Sequence, residues 1–346
     1  MARYLAVAGI AYDGGMLSRR TMLAHTARAT LAAGLLGVTA CRGRRNTTPT
    51  SPPAAADPLH PGELQRDVAL PLSTAGSYVF AAVSIEGERA GTWLVDTGSS
   101  VTLVEQGVAN RLGLEPMAEG RVRGIAGTQP IAWLEPTVVT LGPVAAPIER
   151  LGRMNLYRLN KAVRFPLSGI VGFDALADGP VTLDLGDAPG DGGEARAASG
   201  REASMVFHAR STFSPEASGM RSARMRRGGR LPMITADFGG GRATPLVIDT
   251  GQDRELTLPA KLASRWPGIF ATDVTGGGMS HGIGGVMAGR ETWVSAMSAL
   301  GASWRDVPVK LEPGGRWGRV GMRLLRRLVL SFDAPRGGVW ARPRVG

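Results

Sequence analysis

The chain has 346 residues, enough for a sizeable core and for two compact units rather than one. Hydrophobic residues make up 43% but aromatics only 5%, so aliphatic side chains must fill that core, and 49 glycines with 23 prolines favour short strands and tight turns over long helices. The formal net charge of +11 sits in two places (seven arginines against Asp13 in residues 1–45, eight against Glu202 and Glu216 in residues 196–230), and the near-neutral remainder, with few and scattered aromatics, excludes a nucleic-acid-binding body.

In chain order, Ser18-Arg19-Arg20-Thr21-Met22-Leu23 comes first, ahead of an Ala/Leu-rich run over residues 30–40. A paired arginine before a moderately apolar stretch resembles a twin-arginine export signal, with Met16 as a natural start. The run is shorter than the about 20 apolar residues that a membrane span needs. It ends in Val38-Thr39-Ala40-Cys41, which resembles a bacterial lipobox. Cys41 is the only cysteine, so no intrachain disulfide can form, and lipid attachment at Cys41 is the expectation. The protein is then an exported periplasmic or cell-envelope lipoprotein, tied to the membrane by acyl chains and not by a helix. Residues 42–66, rich in Arg, Thr, Pro and Ala, cannot bury a core and are expected to form a flexible linker.

The rest of the chain is a repeat. Trp93-Leu94-Val95 leads into Asp96-Thr97-Gly98-Ser99-Ser100, and Leu246-Val247-Ile248 leads into Asp249-Thr250-Gly251-Gln252. Upstream of each, residues 79–85 and 231–238 alternate as half-buried strands do. Downstream, Val104, Val108 and Leu112 stop at Gly113, and Leu258, Leu262 and Trp266 stop at Pro267, each predicting a short helix with one apolar stripe. A Gly-punctuated segment follows in each copy: Gly124-Ile125-Ala126-Gly127, then Gly282-Ile283-Gly284-Gly285. Next come Ile170-Val171-Gly172 and Val320-Gly321, and each copy closes with a β-rich run ending in Asp, at residues 181–184 and 328–333. Between the copies, residues 187–230 form the expected connection, with one strand near residues 205–208.

Each copy resembles a retropepsin-like aspartic protease protomer, and the tandem resembles the pepsin-like arrangement of two such lobes in one chain, over roughly residues 78–340. The resemblance implies an all-β acid-protease fold. A leader (1–41) and linker (42–66) precede an N-terminal lobe (67–186), an interlobe connection (187–230) and a C-terminal lobe (231–346). It also implies that Asp96 and Asp249 form a catalytic dyad sharing one proton, since like charges at contact distance cannot both ionise. Gly98 and Gly251 then allow the backbone N–H groups to approach the carboxylates, while Thr97 and Thr250 lock the two turns together. Ser99 is expected to hydrogen-bond the outer oxygen of Asp96. The two Gly-punctuated segments are expected to be flaps over an extended peptide.

Other chemistries find little support in the sequence. No Gly-Lys-Ser/Thr follows either Gly-rich loop, no Gly-x-Ser-x-Gly elbow occurs, and the four histidines (His25, His60, His208, His281) lack metal-ligand spacing, so neither metal nor cofactor is expected. The second copy departs from the family pattern at three places. Gln252 stands where Ser or Thr usually follows, with an amide able to donate to Asp249. Arg319 takes an apolar position, and Arg323 matches Asp174. Two functions follow: an aspartic endopeptidase acting on a peptide or protein substrate as a monomer, or an inactive envelope lipoprotein that binds peptide or a protein partner in the same groove.

Overall fold

The computed structural model describes residues 58–187, 202–225, 231–271 and 275–344. The export signal, Cys41 and most of the linker lie outside the described residues. The described fold is mostly β with a few short helices.

The first half contains β1 (Val68–Ala75), β2 (Tyr78–Ile85), β3 (Glu88–Val95), β4 (Leu103–Glu105), α1 (Gln106–Arg111), β5 (Pro116–Gly124), β6 (Gly127–Leu134), β7 (Thr137–Leu141), β8 (Val144–Ile148), β9 (Gly152–Met154), α2 (Tyr157–Val163), β10 (Gly169–Val171) and β11 (Pro180–Asp184). The connection supplies β12 (Ala203–Phe207) and β13 (Arg221–Arg224). The second half contains β14 (Met233–Asp237), β15 (Ala243–Ile248), β16 (Leu256–Pro259), α3 (Lys261–Arg265), β17 (Thr275–Gly282), β18 (Gly285–Ala299), β19 (Ala302–Glu312), β20 (Gly318–Val320), α4 (Met322–Leu325), β21 (Leu328–Asp333) and β22 (Gly338–Pro343).

The same pairings occur in both halves. The strand before each Asp pairs antiparallel with its upstream neighbour, as β2 with β3 and β14 with β15. It pairs parallel with the later apolar-Gly strand, as β3 with β10 and β15 with β20. That strand then pairs antiparallel with the short strand after the turn, β10 with β4 and β20 with β16. A parallel strand is added outside, β9 on β4 and β19 on β16. Each half also carries a long hairpin, β5–β6 and β17–β18.

The helices expected from the apolar stripes are shorter than the stripes, because Val104 and Leu258 lie in β4 and β16. Their side chains are fully buried between neighbouring strands. Strand pairing thus claims the start of each stripe, leaving α1 and α3 only five or six residues.

The halves differ in one hairpin. In the second, β18 and β19 run on together for most of their length. In the first, the corresponding path is broken, by Glu135-Pro136 between β6 and β7 and by Glu149-Arg150-Leu151 between β8 and β9. Proline lacks the N–H that a continuing ladder needs.

Where the chain passes from half to half, β11 pairs antiparallel with β21, from Pro180 opposite Asp333 to Asp184 opposite Val329. The connection contributes to the same sheet, which runs β13-β22-β21-β11-β12-β1 before entering the first half. Polar groups stitch it: Thr182 Oγ1 lies 2.6 Å from Ser331 Oγ and 2.7 Å from His208 Nε2, and His208 Nδ1 is 2.7 Å from Asp67 Oδ2. One apolar cluster includes Val95, Val171 and Val181 together with Ile248, Val320 and Phe332, so buried aliphatic surface is shared across the pairing.

Candidate active site

Asp96 and Asp249 each follow the last residue of a buried apolar strand, β3 and β15, and each is fully buried. The apolar-Gly strand holds the turn in place from behind. The Asp96 N–H donates to Val171 O (2.9 Å) and the Asp249 N–H to Val320 O (3.0 Å). One step on, Phe173 N–H donates to Ser99 O and Met322 N–H to Gln252 O, both at 2.8 Å.

The two turns face each other closely. A Cβ added at Gly98 would overlap the carboxyl of Asp249, and one added at Gly251 would overlap the carboxyl of Asp96. Each glycine is therefore required by the other turn's carboxyl and not by its own backbone conformation. Within each turn the glycine N–H donates to the local Asp Oδ1, at 2.9 Å for Gly98 and 3.0 Å for Gly251.

The threonines interlock. Thr97 Oγ1 donates to Ile248 O (2.7 Å) and accepts from Thr250 N–H (3.1 Å). Thr250 Oγ1 donates to Val95 O (2.7 Å) and accepts from Thr97 N–H (2.9 Å). These four bonds fix the separation of the two aspartates, because each hydroxyl is satisfied only by the opposite turn.

Burial pushes the Asp96 carboxyl well above the ordinary carboxylate range, and the neighbouring Asp249 charge pushes it further; N–H groups of Gly98 and Ser99 and the Arg319 charge oppose this. Asp249 is also raised by burial, but for it the Arg319 guanidinium is the leading opposing influence. Both Oδ2 atoms are buried without a hydrogen-bond donor. One proton held between two such carboxyls is the arrangement that answers this geometry. Tyr78, buried beside the site and exposed to the charges of Asp253, Asp249 and Asp96, has its phenol pushed well above its ordinary value, first of all by burial, and so keeps its proton.

Two support roles differ from expectation. Ser99 Oγ does not reach Asp96; it donates to Val101 O at 2.7 Å, and the residue aids Asp96 through its backbone N–H instead. Gln252 does not donate to Asp249. Its Nε2 donates to Arg319 O (3.4 Å), and its Oε1 accepts from Thr257 Oγ1 (2.9 Å) and Arg319 Nε (3.1 Å). Both side chains are captured by other groups, Val101 just beyond the first turn and Arg319 on β20.

Arg319 escaped the sequence reading as a site residue. Its Nε lies 3.6 Å from Asp249 Oδ2, and its Nη2 pairs with Glu312. The available signal was the spacing of Lys310, Glu312 and Arg319 inside otherwise apolar strands, since buried charges must be paired. Arg323 has a partner too, with Nη1 3.4 Å from Glu255 Oε1. At the matching places of the first half Asp174 accepts from Thr102 N–H (3.0 Å) and Thr102 Oγ1 (2.7 Å). A carboxylate held by hydroxyl and N–H donors has been exchanged for an arginine–glutamate ion pair.

Gly124, Ile125, Ala126 and Gly127 lie at the turn of hairpin β5–β6; Gly282, Ile283, Gly284 and Gly285 lie at that of β17–β18. The two tips meet. Ala126 N–H donates to Ile283 O at 3.4 Å, and a Cβ at Gly124 would overlap the Ile283 carbonyl. Ile283 is buried among first-half side chains including Val101, Leu103 and Ile131.

Paired carboxyls on interlocked turns lie beneath two meeting hairpins, an arrangement able to hold one shared proton and to act as acid and base. Residues 81–147 match the aspartyl protease family model, a stretch running from β2 through the first Asp-Thr-Gly turn and the first hairpin into β8. The match supports a protease-type hydrolase at family level and stops well short of Asp249. No curated protein matches the chain.

Proposed function

We propose that this chain is an aspartic endopeptidase of two related β lobes, retropepsin-like in each lobe and pepsin-like in tandem, with Asp96 and Asp249 as its dyad. The observation that carries the reading is the reciprocal approach of each aspartate to the other turn's glycine, locked by Thr97 and Thr250. In the singly protonated dyad, the ionised carboxylate takes a proton from water as its oxygen attacks the peptide carbonyl carbon. The neutral carboxyl gives its proton to the carbonyl oxygen, forming a tetrahedral diol. Proton return to the nitrogen then lets the C–N bond break, releasing a carboxylic acid and an amine. No metal or cofactor takes part in these steps.

The hairpins β5–β6 and β17–β18 act as flaps. With their tips in contact and Ile283 buried, they must lift to admit an extended peptide and then close over it. The single chain supplies both halves of the site and works as a monomer. The twin-arginine-like segment and Cys41 support an exported, lipid-anchored enzyme of the periplasm or cell envelope, acting on peptide or protein substrates there.

The test is cleavage of a peptide library by the purified full chain and by Asp96→Asn and Asp249→Asn. Cleavage by the native chain alone is expected. The presence of a guanidinium 3.6 Å from Asp249 favours a second reading, an inactive binding lipoprotein. That reading wins if nothing is cut while the native and Asn chains bind the same peptides equally.

A further inference from the structure

The second half carries buried charge for which the first half has no counterpart at the matching positions. Arg319 occupies the place on β20 that Ile170 occupies on β10, and it is only 7% exposed. Lys310 and Glu312, both on β19, are fully or almost fully buried. Beyond its pairing with Arg319, Glu312 accepts from Ser280 Oγ at 3.1 Å and lies 3.7 Å from Lys310 Nζ. Lys310 in turn donates to Ser280 and, at 3.0 Å, to Met287 O. A continuous chain of polar contacts therefore leads from Asp249 to both strands of the second hairpin.

Charges of this kind are costly to bury, and each here is held by at least two contacts. Gln252 fixes the Arg319 end: its carbonyl oxygen accepts from Nε, its amide donates to the Arg319 backbone, and Thr257 anchors Gln252 in turn. Thus Gln252 and Arg319, two separate departures from the family pattern, hold each other. Of the two carboxyls, Asp249 has this cation within 3.6 Å, whereas Asp96 has the Gly98 and Ser99 N–H groups. The remaining ionisable groups facing the site are Tyr78 on β2, Asp253 after the turn, and Arg254 paired with Glu291 of β18 at 2.8 Å. The Arg254–Glu291 pair is internally balanced, Tyr78 is neutral, and Asp253 leaves Arg319 as the cation beside the dyad.

We propose that Arg319, held by Gln252 and Glu312, is a positioning residue that keeps the dyad's single negative charge on Asp249, leaving Asp96 to hold the proton. The proposal rests on the protease reading for its consequence: Asp249 takes the proton from water and Asp96 supplies one to the carbonyl oxygen. Burial raises both carboxyls, and the stronger pull of Arg319 on Asp249 has the required sign.

The experiment is a carbon-13 NMR titration of the full chain labelled at aspartate carboxyl carbons, with the two signals identified by their loss in Asp96→Asn and Asp249→Asn. In the native protein the first ionisation should move mainly the Asp249 signal. Arg319→Met should raise the Asp249 titration by about 1–3 pH units, since removal of an opposite charge at this range has that effect. Arg319→Lys should restore much of the difference. A merely structural ion pair would leave the titration where it was. If Arg319→Met does not fold, Arg319→Gln decides: an upward shift of Asp249 supports the assignment, and no shift or a downward one overturns it. An Asp96 signal that ionises first in the native chain also overturns it. Should the titrations move as stated while no peptide is cleaved, the charge assignment stands and the protease reading falls.

Discussion

The first turn is backed by an apolar strand residue and a hydrogen-bonded carboxylate, the second by two arginines in ion pairs. Behind Asp96 stand Ile170, the Ser99–Val101 contact and the Thr102–Asp174 link; behind Asp249 stand Arg319, Gln252 and the Glu255–Arg323 pair. The backbone scaffold is nevertheless the same, with equivalent N–H bonds to Val171 and Val320 and equivalent glycine bonds to each carboxylate. Geometry can therefore be conserved between two copies while electrostatics diverge, because strand pairing fixes the turn and side chains alone set the local charge.

The largest effects should come from the carboxyls themselves, where the halves act as one unit. Asp96→Asn and Asp249→Asn should each lower kcat/KM by about 10³-fold or more, measured on a fluorogenic peptide selected from the library. The same variants should gain stability at neutral pH. Each carboxyl's folded pKa is raised above its unfolded value of about 3.9, so its contribution is fully present below that pH and is lost as pH climbs toward the folded value. Thermal unfolding at pH 7 should show a gain of about 1 kcal/mol or more for the Asn variants, shrinking toward pH 4. A native chain more stable at pH 7 than both variants would contradict the raised values.

Next in size are the glycines. Gly98→Ala and Gly251→Ala should each abolish most activity and destabilise by about 1–3 kcal/mol in urea unfolding, since a methyl group meets the opposite carboxyl. Equal costs would extend the symmetry of the scaffold to its energetics. Thr97→Val and Thr250→Val each remove a buried donor and acceptor and should cost about 1–3 kcal/mol; the double variant should cost less than the sum, because the two hydroxyls serve the same lock.

The smallest effects should separate the halves. Asp174→Asn turns an amide toward donors of Thr102 and should cost about 1–3 kcal/mol. Arg323→Ala breaks a pair whose arginine side chain is 43% exposed, so solvent screening should hold its cost to about 1 kcal/mol or less. A larger penalty for Arg323→Ala would show that the charged link is not the weaker one.

Much of this is legible in the sequence. The doubled Asp-Thr-Gly, each after an apolar strand, was visible because alternation and turn chemistry are local properties. So were the Gly-punctuated hairpins, the apolar-Gly strands and a strand in the connection, which appears as β12. The short strands β4 and β16 were hidden within helical stripes, because burial between neighbours, not period, decided them.

Side-chain partnership was another matter. Ser99 was expected at Asp96 and Gln252 at Asp249, and both turned elsewhere because another partner competes for each hydroxyl or amide. For Gln252 that partner arrives on β20, some 67 residues later in sequence. Sequence by itself determined which residues end the strands, where the chain turns and that the unit is used twice, all set by local periodicity and backbone freedom. The tertiary structure alone decided that Asp96 meets Gly251, that Asp249 meets Gly98, and that Arg319 stands beside one carboxyl and not the other. Those contacts are non-local, and one residue of register in β20 would carry the guanidinium to the opposite face of its sheet.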